Sequence, residues 1–299
     1  MRVGIIGGGA IGLLAAARLS DKHRVTLFTH KKIQANEINA KGITVIDQGG
    51  DHIFKNLVTT CLEESTYLIP KMDIVLIAVK QTALIELLSY LDNRASAVAF
   101  LQNGMDHFSY LANLQIASIY TGVVEHGAIQ KAATIVHHTG NGIIKMGLLK
   151  GKPVPVIESL NIDGFPVRLI DDIRPNHIEK LIVNSVINPL TSVLQVQNGE
   201  LIKNTYYLRL LETVCREVCH SLLIPDVEHQ LFLDKIIKIC ERTAENTSSM
   251  LRDLQLGRKT EIDAILGYCI REAEKNGQPA PQCKLLFHMV RGLEESEER

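Results

Sequence analysis

The sequence lacks three features that would point to particular classes of function. Its 299 residues include 32 basic and 33 acidic side chains, which leaves a formal net charge of -1. Without an excess of charge there is no electrostatic reason to expect nucleic acid or an anionic membrane as a partner. No apolar run reaches the ~18 residues of a membrane span, and Met1 leads directly into a predicted strand instead of a signal peptide. We therefore expect a cytoplasmic protein that binds a small molecule.

The six cysteines form no CxxC pair and have no flanking histidine at metal-ligand spacing. Cys215 and Cys219 are four residues apart on a predicted helix, but a structural zinc site would need two further ligands. His137 and His138 lie on a predicted strand, so their rings point to opposite faces. The sequence thus predicts that the cysteines are free thiols packed in the protein core, in a reducing compartment, and that the chain has no metal site.

What the sequence does contain is a glycine-rich turn close to its start. An apolar run over residues 3–6 is followed directly by Gly7, Gly8, Gly9, Ala10, Ile11 and Gly12. The glycines fit GxGxxG, in which one glycine makes the turn, one lets the backbone approach a pyrophosphate, and one allows close helix packing. The phosphates would bind at the helix N-terminus. A tight turn without a ligand is the alternative, but the helical pattern of residues 13–19 favours dinucleotide binding.

A second strand, predicted over residues 24–28, completes a βαβ unit. Sites that prefer NAD usually place Asp or Glu about 20 residues beyond the glycines, where it accepts hydrogen bonds from the ribose. Here the strand is followed by Thr29, His30, Lys31 and Lys32. These residues favour a 2′-phosphate, so we predict NADP as the cofactor. An ordinary solvated basic loop is the alternative.

Further strands are predicted over residues 73–79, 97–101 and 116–124. Lys80 follows the first of them and Asn103 follows the second, so both are expected in the crevice at the carboxyl ends of a parallel sheet. Asn103 with Gly104 is also a common turn dipeptide. Residues 135–138 and 143–146 are predicted to pair as an antiparallel hairpin.

The pattern of alternating strands and helices gives way to helices around Val167, after a stretch rich in proline and glycine. A chain of this length, 46% hydrophobic, can form two domains. We predict an α/β fold with a Rossmann-type dinucleotide-binding domain over residues 1–166. An all-helical domain over residues 167–299 is predicted to follow it.

The segment 177–194 is apolar on nearly all sides of a helical wheel, which predicts a buried helix. Its polar exceptions are Lys180, Asn184 and Asn188, spaced four apart and so stacked on one face. A buried lysine beside two carboxamides needs a polar partner, and a bound ligand is the simplest one. Alternatively, Lys180 extends to solvent and the asparagines bind loop carbonyls. Pro189 is expected to kink this helix.

A second polar constellation runs from residue 245 to 263. Thr247 or Ser248 is predicted to cap a short helix that ends near Gly257, and Thr260 with Asp263 is predicted to form a capping box for the next helix. Glu261 would then lie in a first helical turn, where a carboxylate is favoured by the helix dipole alone. Ser249 could likewise be only a residue at the beginning of a helix, with no role in binding.

Taken together, these segments resemble the ketopantoate reductase (2-dehydropantoate 2-reductase) family along nearly the whole chain. The segments that carry the likeness are GGGAIG, VKQ at Lys80, QNG at Asn103, KLIVNSVINPLT from Lys180, QNGEL at Asn198 and NTSSMLRDLQLGRKTEID from Asn246. Many dehydrogenases share the glycine motif. The ordered Lys-x3-Asn-x3-Asn-Pro and Ser-Ser-Met to Glu-Ile-Asp segments are specific to this family.

The resemblance implies NADPH-dependent reduction of ketopantoate to pantoate, a step towards pantothenate and coenzyme A. It makes Lys180 the proton donor and places Glu261 near the cofactor ribose or near Lys180. The residues it assigns to the substrate carboxylate and hydroxyl are Asn184, Asn188, Asn198, Asn246 and Ser249. It places Asn103 where cofactor and substrate meet, and Lys80 and Ala128 on the cofactor side.

Some relatives carry a single arginine at the end of the second strand, whereas this chain has His30, Lys31 and Lys32 there. Which of them contacts the 2′-phosphate is left open. Reduction of another branched 2-oxo acid, formation of an opine or hydroxy acid, and NADP sensing without turnover are the alternative functions. The helical domain is apolar enough to form a homodimer interface.

Overall fold

The computed structural model describes residues 1–62, 71–88, 91, 95–111 and 114–297, with the side chains of residues 82, 85 and 297 left out. The chain forms two compact units. The first unit comprises Met1–Gln102 and His107–Asn176, and the second unit comprises Asn103–Asp106 and His177–Arg299.

The strands all belong to the first unit. In chain order they are β1 (Arg2–Ile6), β2 (Arg24–Thr29), β3 (Ile43–Asp47), β4 (Gly50–Phe54), β5 (Leu57–Cys61), β6 (Met72–Ile77), β7 (Ala95–Phe100), β8 (Ser118–Val124), β9 (Gly127–Ala132), β10 (Ile135–Gly140), β11 (Ile144–Gly151) and β12 (Val167–Leu169).

The α-helices are, in chain order, α1 (Ala10–Leu19), α2 (Lys32–Lys41), α3 (Leu84–Leu88), α4 (Phe108–Leu111), α5 (Arg174–Leu194), α6 (Glu200–Lys203), α7 (Thr205–Ser221), α8 (Asp226–Arg242), α9 (Ser249–Gln255), α10 (Tyr268–Lys275) and α11 (Pro281–Glu297). Short 3-10 helices cover Gln81–Ala83 and Pro155–Leu160, and a π-helical turn covers Asp263–Gly267.

The larger sheet of the first unit has the strand order β12-β11-β8-β7-β6-β1-β2-β5. From β5 to β8 its neighbours are parallel, whereas β11 runs antiparallel to β8. The parallel part repeats the 3-2-1-4-5-6 order of a Rossmann fold, with β5 as the third strand. Its inner strands are almost wholly buried, as their continuous apolar runs predict. The order reverses between β1 and β6, and a ligand is expected at that point.

A smaller sheet has the order β4-β3-β10-β9. The predicted hairpin of residues 135–138 with 143–146 is wrong, because β10 pairs with β9 and β3 while β11 pairs with β8 in the larger sheet. The chain crosses between the sheets at Gly142, where a Cβ would meet the Glu125 carbonyl. The Glu125 N–H donates to the carbonyl of Ile143 over 3.0 Å. The glycine-rich connection thus joins two strands that belong to different sheets, and these strands do not pair with each other as a hairpin.

The units divide ten residues beyond the predicted position of 166/167, since β12 pairs in parallel with β11 and so belongs to the first unit. In the second unit, the described residues between 177 and 297 form helices and turns only. Their core includes Leu181, Ile182 and Val186 from α5. The four residues 103–106 join this unit, and Met105 packs against its core.

Of the two helix caps predicted in the second unit, the structure shows one. Ser248 caps α9, as predicted, by accepting a 3.2 Å hydrogen bond from the Leu251 N–H. The predicted Thr260–Asp263 capping box is wrong, because the Thr260 N–H donates to Glu294 Oε1 over 2.7 Å. Asp263 instead pairs with Arg291. The carboxylate of Glu294, distant in sequence, therefore accepts the hydrogen bond that was predicted for Asp263.

All six cysteines are buried and none forms a disulfide, in agreement with the predicted packing thiols. Burial raises the pKa of Cys240 to about 11 and that of Cys269 to about 12. Among the helices of the described residues, none combines the length and apolar character of a membrane span.

Candidate functional site

Each glycine of the turn after β1 has a distinct steric environment. Gly7 has a φ of +120°, and a Cβ there would lie 2.7 Å from the carbonyl oxygen of Ala78. A Cβ on Gly12 would collide with the Gly7 carbonyl, whereas one on Gly9 would meet no atom within 4 Å. Gly7 thus makes the turn and Gly12 allows close helix packing. Gly9 leaves open space over the N-terminus of α1, where a pyrophosphate fits.

The carbonyl of Gly8 is held by two glutamine side chains. Gln34 Nε2 on α2 donates to it over 2.8 Å, and Gln130 Nε2 on β9 donates over 3.0 Å. Gln34 Nε2 also lies 2.9 Å from the Ala133 carbonyl. A trans peptide points its C=O and N–H in opposite directions. Fixing the Gly8 carbonyl therefore fixes the direction of the Gly9 N–H, one of the donors at the N-terminus of α1.

A cavity of about 800 Å³ opens beside this turn, within the usual range for ligand sites of roughly 300–1,000 Å³. Of the predicted cofactor residues, the structure places six in its lining, namely Gly7, Gly8, Gly9, His30, Lys31 and Lys80. Sequence reasoning missed Gln34, Gln130 and Glu86, which also line it. The cavity lies at the ends of β1, β2 and β6, where the strand order reverses.

Six of the twelve predicted cofactor residues do not line this cavity: Asn103 and Glu261, which belong to the second unit, and four residues of the first unit. Ala10, Ile11 and Ala128 pack against the core of the first unit, and Gly12 is buried inside α1. Lys32 also lies outside the lining, one residue beyond Lys31 and at the first position of α2. The basic side chains that line the cavity near the end of β2 are therefore His30 and Lys31.

The polar stripe of α5 forms within a 21-residue helix that contains Pro189. Asn188 is buried, whereas Lys180 and Asn184 are partly exposed. The prediction of a buried lysine is therefore too strong, because Lys180 precedes the continuously buried stretch of α5 over residues 185–192. Spacing of four residues still places all three polar groups on one face of α5.

Asn103 and Glu261 are joined directly, although they are far apart in sequence. Asn103 Nδ2 donates to Glu261 Oε2 over 2.9 Å. Both residues belong to the second unit, and Glu261 precedes the π-helical turn. Single π-helical turns are frequent at functional sites. Gly104 has a φ of +79°, and a Cβ there would collide with the Ala264 carbonyl. This close approach holds the Asn103 backbone against the π-helical turn.

The predicted substrate residues Asn198 and Asn246 meet through the backbone. The Asn198 N–H donates to the Asn246 carbonyl over 3.0 Å, and Asn198 Nδ2 donates to Thr243 Oγ1 over 2.9 Å. Asn198 Oδ1 is buried and has no hydrogen-bond partner. A buried acceptor without a partner is costly, so this oxygen suits a ligand hydroxyl. Asn246 and Ser249 are exposed.

Two buried histidines outside the predicted site form a pair in the first unit. His126 Nδ1 lies 3.0 Å from His138 Nε2, and the His126 ring stacks on Phe165 at 5.2 Å between centroids. Burial and the neighbouring imidazole lower the pKa of His126 to about 4. The pKa of His138 is also lowered, chiefly by burial. Both rings are therefore neutral at pH 7.

Comparison with known proteins bears on the whole chain. Residues 3–151 match the family model described as ketopantoate reductase PanE/ApbA, and residues 172–294 match ketopantoate reductase PanE/ApbA C terminal. The 2-dehydropantoate 2-reductase of Bacillus subtilis (strain 168) is 38% identical over 299 residues, covering 98% of both chains. The chain belongs to the ketopantoate reductase family. It is an oxidoreductase, as the family resemblance predicted, and this family uses NAD(P).

Solved structures of similar proteins agree with the fold of this ketopantoate reductase family member. The crystal structure of a probable 2-dehydropantoate 2-reductase from Bacillus subtilis has a TM-score of 0.86 at 36% identity, covering 98% of this chain and 100% of that one. A D-mandelate dehydrogenase in complex with NADH and anilino(oxo)acetate has a TM-score of 0.90 at 22% identity, with full coverage of both chains. The second likeness shows the fold alone. Together they confirm the predicted Rossmann-type domain followed by a helical region.

Proposed function

We propose that this chain reduces ketopantoate to pantoate, with NADPH as the cofactor and Lys180 as the proton donor. Reduction of ketopantoate is the reaction of the family to which the chain belongs. The observation that supports the residue assignment best is the stripe of Lys180, Asn184 and Asn188 on one face of α5. It brings an ammonium group and two carboxamides to one surface, as a 2-oxo acid requires.

The bound cofactor would supply a hydride to the ketone carbon. As negative charge develops on the ketone oxygen, the Lys180 ammonium stabilises it and donates a proton, leaving a hydroxyl and a neutral amine that solvent reprotonates. Asn184 and Asn188 would hold the substrate along the same helix face. Such groups contribute orientation more than chemistry.

Asn198, Asn246 and Ser249 would bind the substrate carboxylate and hydroxyl. The unpartnered Oδ1 of Asn198 supports this role, because a substrate hydroxyl could donate to it. Asn103 and Glu261 would act as one hydrogen-bonded unit near the cofactor ribose or near Lys180. In that arrangement, Asn103 holds the Glu261 carboxylate in a fixed rotamer.

The glycine turn and the cavity beside it would hold the dinucleotide. Gly9 offers open space at the beginning of α1, and the cavity is large enough for part of a dinucleotide. We assign the preference for NADPH to Lys31 with His30, because both line the cavity at the end of β2 and residues 29–33 include no acid. Lys80 would contribute a further positive charge at the end of β6.

The test is to follow NADPH absorbance against a panel of 2-oxo acids that includes ketopantoate, other branched 2-oxo acids, pyruvate and phenylglyoxylate. The proposal expects the highest kcat/KM for ketopantoate. Turnover of a different 2-oxo acid alone would keep the reaction but change the substrate. NADPH binding without turnover of any member of the panel would favour a sensing module.

Two expectations about the protein in solution complete the proposal. Exposed apolar side chains at a spacing of four occur on α7 as Tyr206 and Leu210, and on α8 as Val227 and Leu231. They support a homodimer, which sedimentation velocity of the full chain would detect.

Six thiols without a disulfide support a reducing compartment, as expected for the cytoplasm.

A further inference from the structure

The turn between α7 and α8 brings three metal-ligating side chains together. His220 lies in the last turn of α7, while Asp226 and His229 lie in the first turn of α8. Asp226 Oδ1 is 3.3 Å from His220 Nε2 and 3.7 Å from His229 Nε2. One ligand atom from each residue lies within 4.8 Å of the other two. The described residues hold no second group of three such ligands.

The separations suit a small divalent ion. In a tetrahedral site with metal–ligand bonds of about 2.0–2.1 Å, neighbouring ligand atoms are roughly 3.4 Å apart. Both nitrogen–oxygen separations at Asp226 are already close to this value. The ligand nitrogens of the two histidines lie within 4.8 Å of each other, so sharing one ion requires at most a small approach. The side chains of Asp226 and His220 are 85% and 44% exposed, so an ion can reach them from solvent.

The local backbone explains why these side chains converge. Leu223 adopts a left-handed φ of 54°, and the Ile224 N–H donates to the Cys219 carbonyl, which closes the end of α7. Pro225 then begins α8 with Asp226 at its first position. His229 Nε2 lies 2.9 Å from the Ile224 carbonyl, so this nitrogen now carries the proton. A metal would bind the same nitrogen after the proton moves to Nδ1.

The donor set selects the class of metal. Two imidazoles and one carboxylate suit Zn²⁺, Co²⁺, Ni²⁺ or Cu²⁺, whereas Mg²⁺ and Ca²⁺ prefer oxygen ligands alone. The cysteines are buried, so their thiols do not compete for an added ion in the folded protein. The spacing of six and three residues across a turn matches no zinc motif, which is why the sequence predicted no metal site.

We propose that His220, Asp226 and His229 form a binding site for one divalent transition-metal ion of the Zn²⁺ class. The site uses none of the residues assigned to the reductase reaction. A bound ion ties the end of α7 to the beginning of α8, with open coordination positions filled by water or by a group from solvent. Metal binding displaces protons from its ligands, so it weakens with increasing acidity.

The test is calorimetric titration of the full chain, free of any polyhistidine tag, with Zn²⁺, together with absorption spectra of the Co²⁺ form. We expect about one ion per chain, and Co²⁺ bands of nitrogen and oxygen ligands without thiolate charge transfer. His220→Ala, His229→Ala and Asp226→Asn should each weaken binding at least about tenfold. Circular dichroism checks that each variant is folded.

His288→Ala is the matched control, because His288 is another exposed histidine of the second unit. This variant should bind Zn²⁺ as the parent chain does. Absence of binding at millimolar Zn²⁺ would overturn the proposal. Equal affinity of the parent chain and the His220→Ala, His229→Ala double variant, or loss of binding in His288→Ala, would overturn it as well.

Discussion

Asn103 donates a 2.9 Å hydrogen bond to Glu261, and the next residue, Gly104, fits against the Ala264 carbonyl with no space for a Cβ. The two contacts act on one short segment that joins the core of the second unit through Met105. A steric requirement at Gly104 thus sets the position of a polar group proposed to act in the reaction.

Gly104→Ala should therefore destabilise the protein and reduce its activity together. An alanine at a φ of +79° costs about 1–2 kcal/mol, and the collision with Ala264 adds roughly 1–3 kcal/mol. Gly257→Ala is the matched control, because Gly257 has a φ of +59° and open space around it. Urea unfolding and kcat/KM measure both effects. Equal losses in the two variants would show that the Ala264 contact is unimportant.

Lys180→Ala should lower kcat by about 10²–10⁴-fold, the usual contribution of a general acid. Its affinity for NADPH should stay close to that of the parent chain, because Lys180 does not line the cavity beside the glycine turn. Steady-state kinetics and fluorescence titration with NADPH separate the two quantities. Lys238→Ala removes an exposed lysine of the same unit and serves as the control. Near-normal turnover by Lys180→Ala would contradict the assigned proton donor.

Lys31→Ala should reduce the preference for NADPH over NADH by about tenfold, since a hydrogen bond to a charged group contributes roughly 1.5–3 kcal/mol. Lys32→Ala should change the preference less, because Lys32 lies outside the lining. The measurement is the ratio of KM values for the two cofactors in each single variant. A larger effect at Lys32 would reverse the assignment.

Gln34→Met should raise the KM for NADPH by about two- to tenfold, because the Gly8 carbonyl loses one of its two amide donors. The kcat at saturating NADPH should not change, since Gln34 orients the turn and takes no part in proton transfer. Gln115→Met, at an exposed position of the first unit, is the control. A fall in kcat with unchanged KM would contradict a positioning role at the cofactor.

Acid should destabilise the protein through the His126–His138 pair. The pKa of His126 is about 4 in the folded state and 6.5 as its ordinary value, so the unfolded chain binds more protons between these limits. The stabilising contribution of neutral His126 is complete above pH 6.5 and is lost as the pH falls towards 4, by about 3 kcal/mol. Urea unfolding from pH 7 to 4.5 measures it. His126→Gln should remove only the part due to His126 and leave the parts due to His107 and His138, whereas His137→Gln should retain the whole dependence.

Local patterns in the sequence predicted much of the first unit. The strand, glycine turn and helix of residues 2–19 depend on neighbours in the chain, and so does the predicted Ser248 cap in the second unit. The smaller sheet was missed because β4 is short and largely exposed, and because β10 finds one of its partners in the distant β3. Proximity in sequence then favoured a hairpin that does not form.

The parts of the candidate site that sequence could not predict depend on tertiary contacts. Gln34 and Gln130 converge on Gly8 from a helix and from a different sheet, and no spacing rule connects them. Glu294 likewise reaches Thr260 from 34 residues away. The predicted role of Glu261 came from the family resemblance alone, and its partner Asn103 became evident only in the fold.

The distribution of the cysteines makes the two units separately observable. Cys61 lies in the first unit, and the other five thiols lie in the second. A buried thiol reacts with an alkylating reagent only when its surroundings open. Mass spectrometry of labelled peptides would therefore measure the rate at which each unit opens, without an engineered probe in the chain.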